Sequence, residues 1–377
     1  DYIKPERLIC GINNKGNEFF MKIKVSIIAV ILTVLVIQSI RIINSSGLGL
    51  TVVPMSLLQC DALQGPVGAE DITIDAYNKV AYIGADDRRA YLLDGKPTKE
   101  NGAIWLLDLS KPDSQAIKLE INIPEVFHPH GITLRKGLKG EALELYVVNH
   151  ISATEHQIEI FDISAPGLLT LRRSVNYPEM ISPNDLVVVA KDQFFVTNDH
   201  GFAHATVMQV LEDYLGLPMS SVTYFDGQKG HTVIDGLRLA NGIELSADKQ
   251  TLYVAESLRR TVSRYRRGVS VLDWTYQDSV EFDFSVDNLE WSDNGQLLTA
   301  GHPKAFDFLA QVESPLNKSA SEVASINVAG EIMQVETIYR NDGKALSGAS
   351  VAVQLGETVL IGPVIDTHIL RCQYKPT

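Results

Sequence analysis

A strand–turn–strand plan repeats along most of this chain, and it constrains the fold more than any other feature. AEDITIDAYNKVAYIGADD from Ala69, SPNDLVVVAKDQFFVTNDH from Ser182, LANGIELSADKQTLYVAES from Leu239 and VDNLEWSDNGQLLTAGHP from Val286 share it. HPHGITL at His128, leading to LYVVNH at His150, is a copy with a longer turn, and GASVAVQLGETVLIG from Gly348 is a sixth. In each, a polar residue opens an apolar strand, a turn follows, and a second strand runs to a polar end. Six units over roughly 310 residues give about 50 per unit, the size of a propeller blade. A β-sandwich would be shorter and offers no reason for the repeat. The expected fold class is therefore all-β, a six-bladed β-propeller. Short strands rich in Val, Ile, Leu and Tyr are expected at 80–84, 104–109, 145–148, 158–163, 193–196, 251–255, 296–299 and 358–361. The best internal helix candidate is 205–215. The charged, turn-rich segment 86–102 reads either as a solvated loop or as a flap over the channel mouth.

The residues that open the strands are acids and amides: Glu70-Asp71, Asn184-Asp185, Asn241 and Asp287-Asn288. Taken singly, each is an ordinary turn or cap residue. Their force lies in holding the same position in different repeats, because the first strands of propeller blades line a central channel. Hard oxygen ligands from distant segments, with no thiolate among them, are what Ca²⁺ requires. A central calcium channel is thus part of the expected fold.

The formal charge of −13 argues against a nucleic-acid partner, which would need a basic stripe. Cys60 and Cys372 bracket the repeats, so a bridge between them would staple the ends of a ring. The alternative is two unrelated buried thiols, and a bridge needs an oxidising compartment. Upstream, Met21-Lys22-Ile23-Lys24 precedes an apolar run from Val25 to Ile40, as in a secretory signal or signal anchor. The organisation expected is a gene-model extension at 1–20 that includes Cys10, an apolar helix serving as signal peptide or signal anchor at 21–46, and the six-bladed β-propeller domain at 47–377. Asn44 and Asn317 stand in N-x-[ST] sequons, candidate glycosylation sites for a secreted chain.

G-x-S-x-G, H-E-x-x-H, P-loop, C-x-x-C and EF-hand signatures are all absent. Histidines recur instead at repeat ends: His128 and His130, His150, His200 and His302. A histidine near a metal-polarised carbonyl can take a proton from water near neutral pH.

With these residues the chain resembles the serum paraoxonase/arylesterase family. The likeness runs through QCDALQG, AEDITI, FHPHGITL, LYVVNH, SPNDLVVV, FFVTNDHGF, LANGIELSADKQTLYVAE, VDNLEWSDNGQLLTAGHP and VLIGPVIDTHILRC, from Cys60 to Cys372. The resemblance implies a six-bladed propeller with two Ca²⁺ ions, one catalytic and one structural, that hydrolyses lactones and aryl esters. It implies that Glu70, Asn184, Asn241, Asp287 and Asn288 hold the catalytic ion. Asp71, Asp185 and the Ile132 carbonyl would hold the structural one. It implies a histidine dyad at His130 and His150, further active-site residues at Asp199, His200 and His302, and a Cys60–Cys372 disulfide. Asp287 is a rival to His130 as base or nucleophile. One departure stands out: where mammalian members carry a free cysteine before the last of these histidines, this chain has Gly301.

The expected function is calcium-dependent hydrolysis of lactones and aryl esters in the secretory pathway, secreted or membrane-anchored. A small-molecule substrate is the expected partner, along with membrane or lipid-particle association through the apolar segment. The alternatives are a gluconolactonase-like enzyme and a non-catalytic, calcium-stabilised binding propeller.

Overall fold

Each repeat folds into one antiparallel four-stranded sheet, and six such sheets make the ring of a β-propeller. The computed structural model describes residues 14–94, 98–137 and 139–375, so Cys10 and most of the 1–20 extension lie outside it. The innermost strands of blades 1 to 6 are Ala69–Asp75, Pro129–Lys136, Pro183–Ala190, Ala240–Leu245, Ser285–Trp291 and Ala349–Leu355. Each lies against the innermost strand of the next blade, and the sixth lies against the first. All eight strands expected from the sequence are present; six are extended at one end or both, while 104–109 and 296–299 are shifted to Ala103–Asp108 and Leu297–His302.

No blade could bury its apolar faces alone, and the core is accordingly divided among the blade–blade seams. Val80, Tyr82 and Ile104 of blade 1 pack on Ile132, Leu145 and Phe161 of blade 2. Tyr146 and Val148 meet Phe194 and Val196 across the next seam. The last seam joins Val351, Val353 and Leu360 to Ile72, Ile74 and Ile83. Fully burying one such side chain contributes about 1.5–3 kcal/mol.

The ring is closed by the chain's N-terminal part. Leu58–Gln64 pairs with His368–Tyr374 as the outer strand of blade 6, with Cys60 opposite Cys372. These two cysteines form a disulfide. Met55–Ser56 adds a fifth strand to blade 5.

Three short helices lie in the connections of blades 1, 3 and 5: Arg89–Asp94, Val207–Leu215 and Ala305–Glu313. The second starts two residues later than expected. Ala205 has a positive φ of 58°, outside helical space, and Thr206 caps the helix by accepting from the Gln209 amide. Left-handed Gly216 ends it. The segment 86–102 is not a wholly solvated loop, because its Arg88 is buried and its helix packs Leu92 against Val312, Val364 and Phe308.

The chain divides into two compact units at the Asn44/Ser45 boundary. The first holds, among described residues, residues 14–44 of the helix Asn14–Ser46. Among the described residues no helix is long and apolar enough to cross a membrane. The side chains of Ile31, Val34, Leu35, Gln38 and Arg41 in the apolar run, and that of Asn44, lie outside the description.

Candidate active site and metal centre

Every innermost strand is broken by a register shift near its start. The shifts fall between Ala69 and Asp71, Pro129 and Ile132, Pro183 and Leu186, Ala240 and Ile243, Val286 and Leu289, and Ala349 and Val351. Glu70, His130, Asn184-Asp185, Asn241, Asp287-Asn288 and Ser350 sit at these irregularities. A regular strand sends consecutive side chains to opposite faces, and a bulge re-aims them. Adjacent residues such as Asp287 and Asn288 can therefore both be buried in the same polar cluster.

Close approach of neighbouring strands demands glycine here. A Cβ on Gly242 would stand 2.4 Å from the Leu289 nitrogen, and one on Gly131 would stand 2.5 Å from the Asn184 carbonyl oxygen. Gly301 is constrained in the same way. A Cβ there would meet the Ser285 carbonyl oxygen at 1.9 Å, so no side chain, cysteine included, fits this backbone.

The buried acids and amides fall into two groups. Asp71 accepts from the amides of Ile72 (2.8 Å) and Ile132 (2.6 Å), joining blade 1 to blade 2. Asp185 accepts from Leu186 (2.7 Å) and Ile243 (2.8 Å), joining blade 3 to blade 4. The oxygens of these two carboxylates already have donors. The other group differs. Glu70 Oε2, Asn184 Oδ1, Asn241 Oδ1 and Asn288 Oδ1 are buried with no hydrogen-bond partner. These acceptors come from blades 1, 3, 4 and 5, and each orphaned polar group costs roughly 1–3 kcal/mol unless something fills the space between them. Asn288 Nδ2 holds Glu70 in place through Oε1 (2.8 Å) and the carbonyl (3.0 Å), and the Ser350 hydroxyl donates to the same carbonyl at 2.7 Å.

Electrostatics point the same way. Burial, then the charge of Glu70, pushes Asp71 well above the usual carboxylate range. Burial, then Asp71, does so for Asp185, and burial raises Asp287 as well. Burial would also raise Glu70, but His130, Arg88 and Asn288 together bring it below its ordinary value. Several buried carboxylates in one another's field, beside four unfilled oxygens and no thiolate, fit a hard divalent cation such as Ca²⁺. Among the described residues no three His, Cys, Asp or Glu side chains group as a metal site on their own, so a cation held here would need the asparagine oxygens as well.

The histidines border the same cluster. His130 Nδ1 lies 2.7 Å from His150 Nε2, while His130 Nε2 is 3.5 Å from Glu70 Oε1. His302 Nε2 stands 3.4 Å from Asp287 Oδ2, with its ring stacked on Phe308 at 4.0 Å. His200 is different in kind. Asp199 (2.7 Å) and Asp213 (2.8 Å) occupy its two nitrogens. Burial would lower its pKa, yet Asp199 and then Asp213 push it up to about 11. A fixed imidazolium is a poor base. It anchors Asp199, which accepts from the Ser182 hydroxyl (2.5 Å) and from Asn184 Nδ2 (3.5 Å). His128 is engaged elsewhere, against both oxygens of Asp86 at 3.2 Å.

Three contributors were not singled out in the sequence. Buried Arg88 donates to the carbonyls of Gly68 (3.4 Å), Val364 (3.1 Å) and Pro129 (2.7 Å), tying blades 6, 1 and 2 together at the site. Tyr91 stacks on His150 at 5.0 Å and on His204 at 4.8 Å. His156 Nδ1 lies 2.9 Å from His150 Nδ1. Only the flap reading of 86–102 pointed toward the first two. Asn317, in the exposed segment after the last short helix, donates its side-chain nitrogen to the Ala310 carbonyl.

Fold and site together define a six-bladed propeller with a pocket lined by unpartnered oxygens and flanked by a histidine pair. Comparison with known proteins names the class. The Arylesterase family model matches residues 52–374. Serum paraoxonase/arylesterase 2 of Gallus gallus is 34% identical over 336 residues, covering 85% of this chain and 90% of that protein. Serum paraoxonase/arylesterase 1 of Homo sapiens is 31% identical over 332 residues, with the same coverage. The chain belongs to the arylesterase family, whose members are ester-hydrolysing enzymes. Among solved structures, a luciferin-regenerating enzyme (TM-score 0.51, 12% identity, 84% of this chain and 95% of that one) shares the fold. So does a putative gluconolactonase (TM-score 0.51, 12% identity, 84% and 92%). At that identity they speak to the fold alone.

Proposed function

We propose that this chain is a calcium-dependent hydrolase of lactones and aryl esters, and that Glu70, Asn184, Asn241, Asp287 and Asn288 hold the catalytic ion. The observation that carries this is the set of four buried, unpartnered oxygens from four blades beside the His130–His150 pair. Bound there, Ca²⁺ supplies Lewis acidity to the ester carbonyl.

The remaining chemistry belongs to the chain. His130 Nε2 takes a proton from the attacking water, and His150 orients the His130 ring. The water O–H bond breaks as the new C–O bond forms, and the same proton returns to the leaving oxygen when the ester bond breaks. Asp287, paired with His302, is the alternative proton acceptor. Asp199 and His200 keep Asn184 in position. A second, structural ion is assigned to Asp71, Asp185 and the Ile132 carbonyl, where each carboxylate already bridges two blades through backbone amides. Secretion, glycosylation at Asn317 and Asn44, and a role for segment 21–46 as signal or lipid anchor belong to the same proposal. The disulfide supports the oxidising compartment.

His130→Gln tests the base directly. Lactone turnover should fall roughly 10²–10⁴-fold, the usual worth of general-base catalysis, with calcium affinity unchanged. Near wild-type turnover would move the base to Asp287. A gluconolactonase-like preference would appear in the same assay as faster turnover of sugar lactones than of aryl esters.

A further inference from the structure

His130 and His150 both stand where sheet pairing stops holding them. His130 lies inside the register shift of its strand, between Pro129, which pairs with Asn149, and Ile132, which pairs with Val147. His150 is the last residue of Ala142–His150, next to the hairpin that turns back at His156. A ladder fixes backbones, and here it offers a bulge and a strand end. Ring planes are freer still, since χ2 of a histidine has broad wells. A pair with ring nitrogens 2.7 Å apart needs its constraints from elsewhere.

One turn of chain in blade 1 supplies them. Arg88 is buried, and its Nη2 donates at 2.7 Å to the carbonyl of Pro129, the peptide unit that leads into His130. Its Nη1 donates to the carbonyls of Val364 (3.1 Å) and Gly68 (3.4 Å), the latter two residues ahead of Glu70. A rigid fork of N–H groups suits acceptors on several sides; an ammonium is a point donor on a flexible stem. Three residues on, buried Tyr91 lays its ring on His150, with 5.0 Å between centroids and 19° between planes. Tyr91 is itself stacked on His204 at 4.8 Å and 11°, and His204 Nε2 donates to the Tyr91 carbonyl at 2.9 Å.

The turn is fastened on either side of these two residues. Asp86 faces His128 with both oxygens at 3.2 Å, and its amide donates to the Gly68 carbonyl at 3.2 Å. Arg89 donates to the carbonyls of Gln311 and Val312 at the end of Ala305–Glu313. Leu92 packs with Val312, Val364 and Phe308. Blades 2, 3, 5 and 6 thus all hold this turn of blade 1.

We propose that Arg88 and Tyr91 are positioning residues that act as one unit: Arg88 seats the turn and the backbone entering His130, and Tyr91, carried on that turn, sets the ring plane of His150. The pair takes its working geometry only when the turn is seated. What the pair then does rests on the proposed function, so the test reads geometry before turnover. A tyrosine ring stacked on His150 shields the protons of that ring. In the full chain with calcium present and the histidine rings labelled, the His150 signals, identified by their loss in His150→Gln, should lie upfield. Tyr91→Leu should move them downfield, and Tyr91→Phe should keep them in place. Arg88→Lys preserves the charge but loses the fork, and it should move them as well. His150 signals unmoved in Tyr91→Leu or in Arg88→Lys overturn the proposal.

Turnover supplies the second readout. Tyr91→Leu and Arg88→Lys should each lower lactone kcat roughly 10–100-fold, up to the scale of an ångström's misplacement, with KM and bound calcium little changed. Tyr91→Phe should restore most of the loss seen in Tyr91→Leu. The double variant should lose little more than the worse single one, because both residues act through the same pair. Losses that multiply, or equal losses in Tyr91→Leu and Tyr91→Phe, overturn the proposal. Should Arg88→Lys fail to fold, the comparison of the two Tyr91 variants decides. Protein with the expected ring signals but no hydrolytic activity would count against the hydrolase reading and leave the positioning role standing.

Discussion

Buried polar residues in this channel divide by whether the protein itself completes their hydrogen bonds. Asp71 and Asp185 are completed by backbone amides of the next blade, and they join strands. Glu70, Asn184, Asn241 and Asn288 each keep an unfilled oxygen. The sequence showed both kinds of residue at strand starts but could not separate them, since Asn184 and Asp185 are neighbours with different partners. Histidines divide in the same way. His130 has a nitrogen free of strong partners, while His200 has none. For His200 the consequence depends on pH. Its pKa in the fold, about 11, lies above the ordinary 6.5. The stability it contributes is present in full below about 6.5 and is lost as pH rises through about 11. His200→Gln should therefore destabilise the protein most at about pH 6.5 and below, and progressively less above it. Urea unfolding of both forms should show the gap narrowing between about pH 7 and pH 10. A gap that widens over that range would contradict the assignment of a charged, doubly paired His200.

The element that makes the site is the bulged start of the innermost strand. Periodicity located all six of these strands, because apolar runs opened by a polar residue are visible in sequence. The register shifts were not visible. They arise from close packing of neighbouring backbones, which is a tertiary effect, and only Gly131 and Gly242 hint at it. Gly242→Ala tests this packing. The added methyl would sit 2.4 Å from the Leu289 nitrogen and 2.7 Å from the Asp287 carbonyl oxygen. Those atoms belong to the strand that carries two proposed ligands. Stability should drop on the order of 1–3 kcal/mol, the cost of overpacking, and calcium affinity should fall with it. Unchanged calorimetric stability and unchanged calcium binding would show that the strands are looser than described. The helices in the connections were partly legible. The one at Val207–Leu215 has a recognisable apolar pattern and cap, whereas Arg89–Asp94 is six residues long and held by tertiary contacts. Arg88 could not be placed at all from sequence, because a charged residue in a charged segment reads as solvated.

For the whole molecule the governing fact is that the ring closes on itself. Blade 6 takes three strands from the C-terminal part and one from the N-terminal part, Leu58–Gln64, and the Cys60–Cys372 bond joins them across 312 residues. Cysteine placement at the two ends of the repeat made this bridge a reasonable expectation from sequence. Its pairing within one sheet came from the structure. Cys60→Ser should cost roughly 2–5 kcal/mol, read as a lower thermal midpoint under non-reducing conditions. Indistinguishable midpoints would mean that strand pairing alone closes the ring. The same closure would couple a bound calcium ion to the fold, since the unfilled oxygens come from blades 1, 3, 4 and 5. Ligand linkage predicts a stabilisation of about 3–4 kcal/mol at calcium concentrations of 100–1,000 times Kd.

The central claim is that the unfilled oxygens of this channel bind calcium and that hydrolysis depends on it. The most direct measurement is lactone turnover followed against bound calcium per chain, first in exhaustively stripped protein and then during stepwise restoration. Turnover absent in the stripped protein and returning in proportion to calcium bound at the pocket is the expected result. Full turnover in protein shown to contain no calcium would contradict the account.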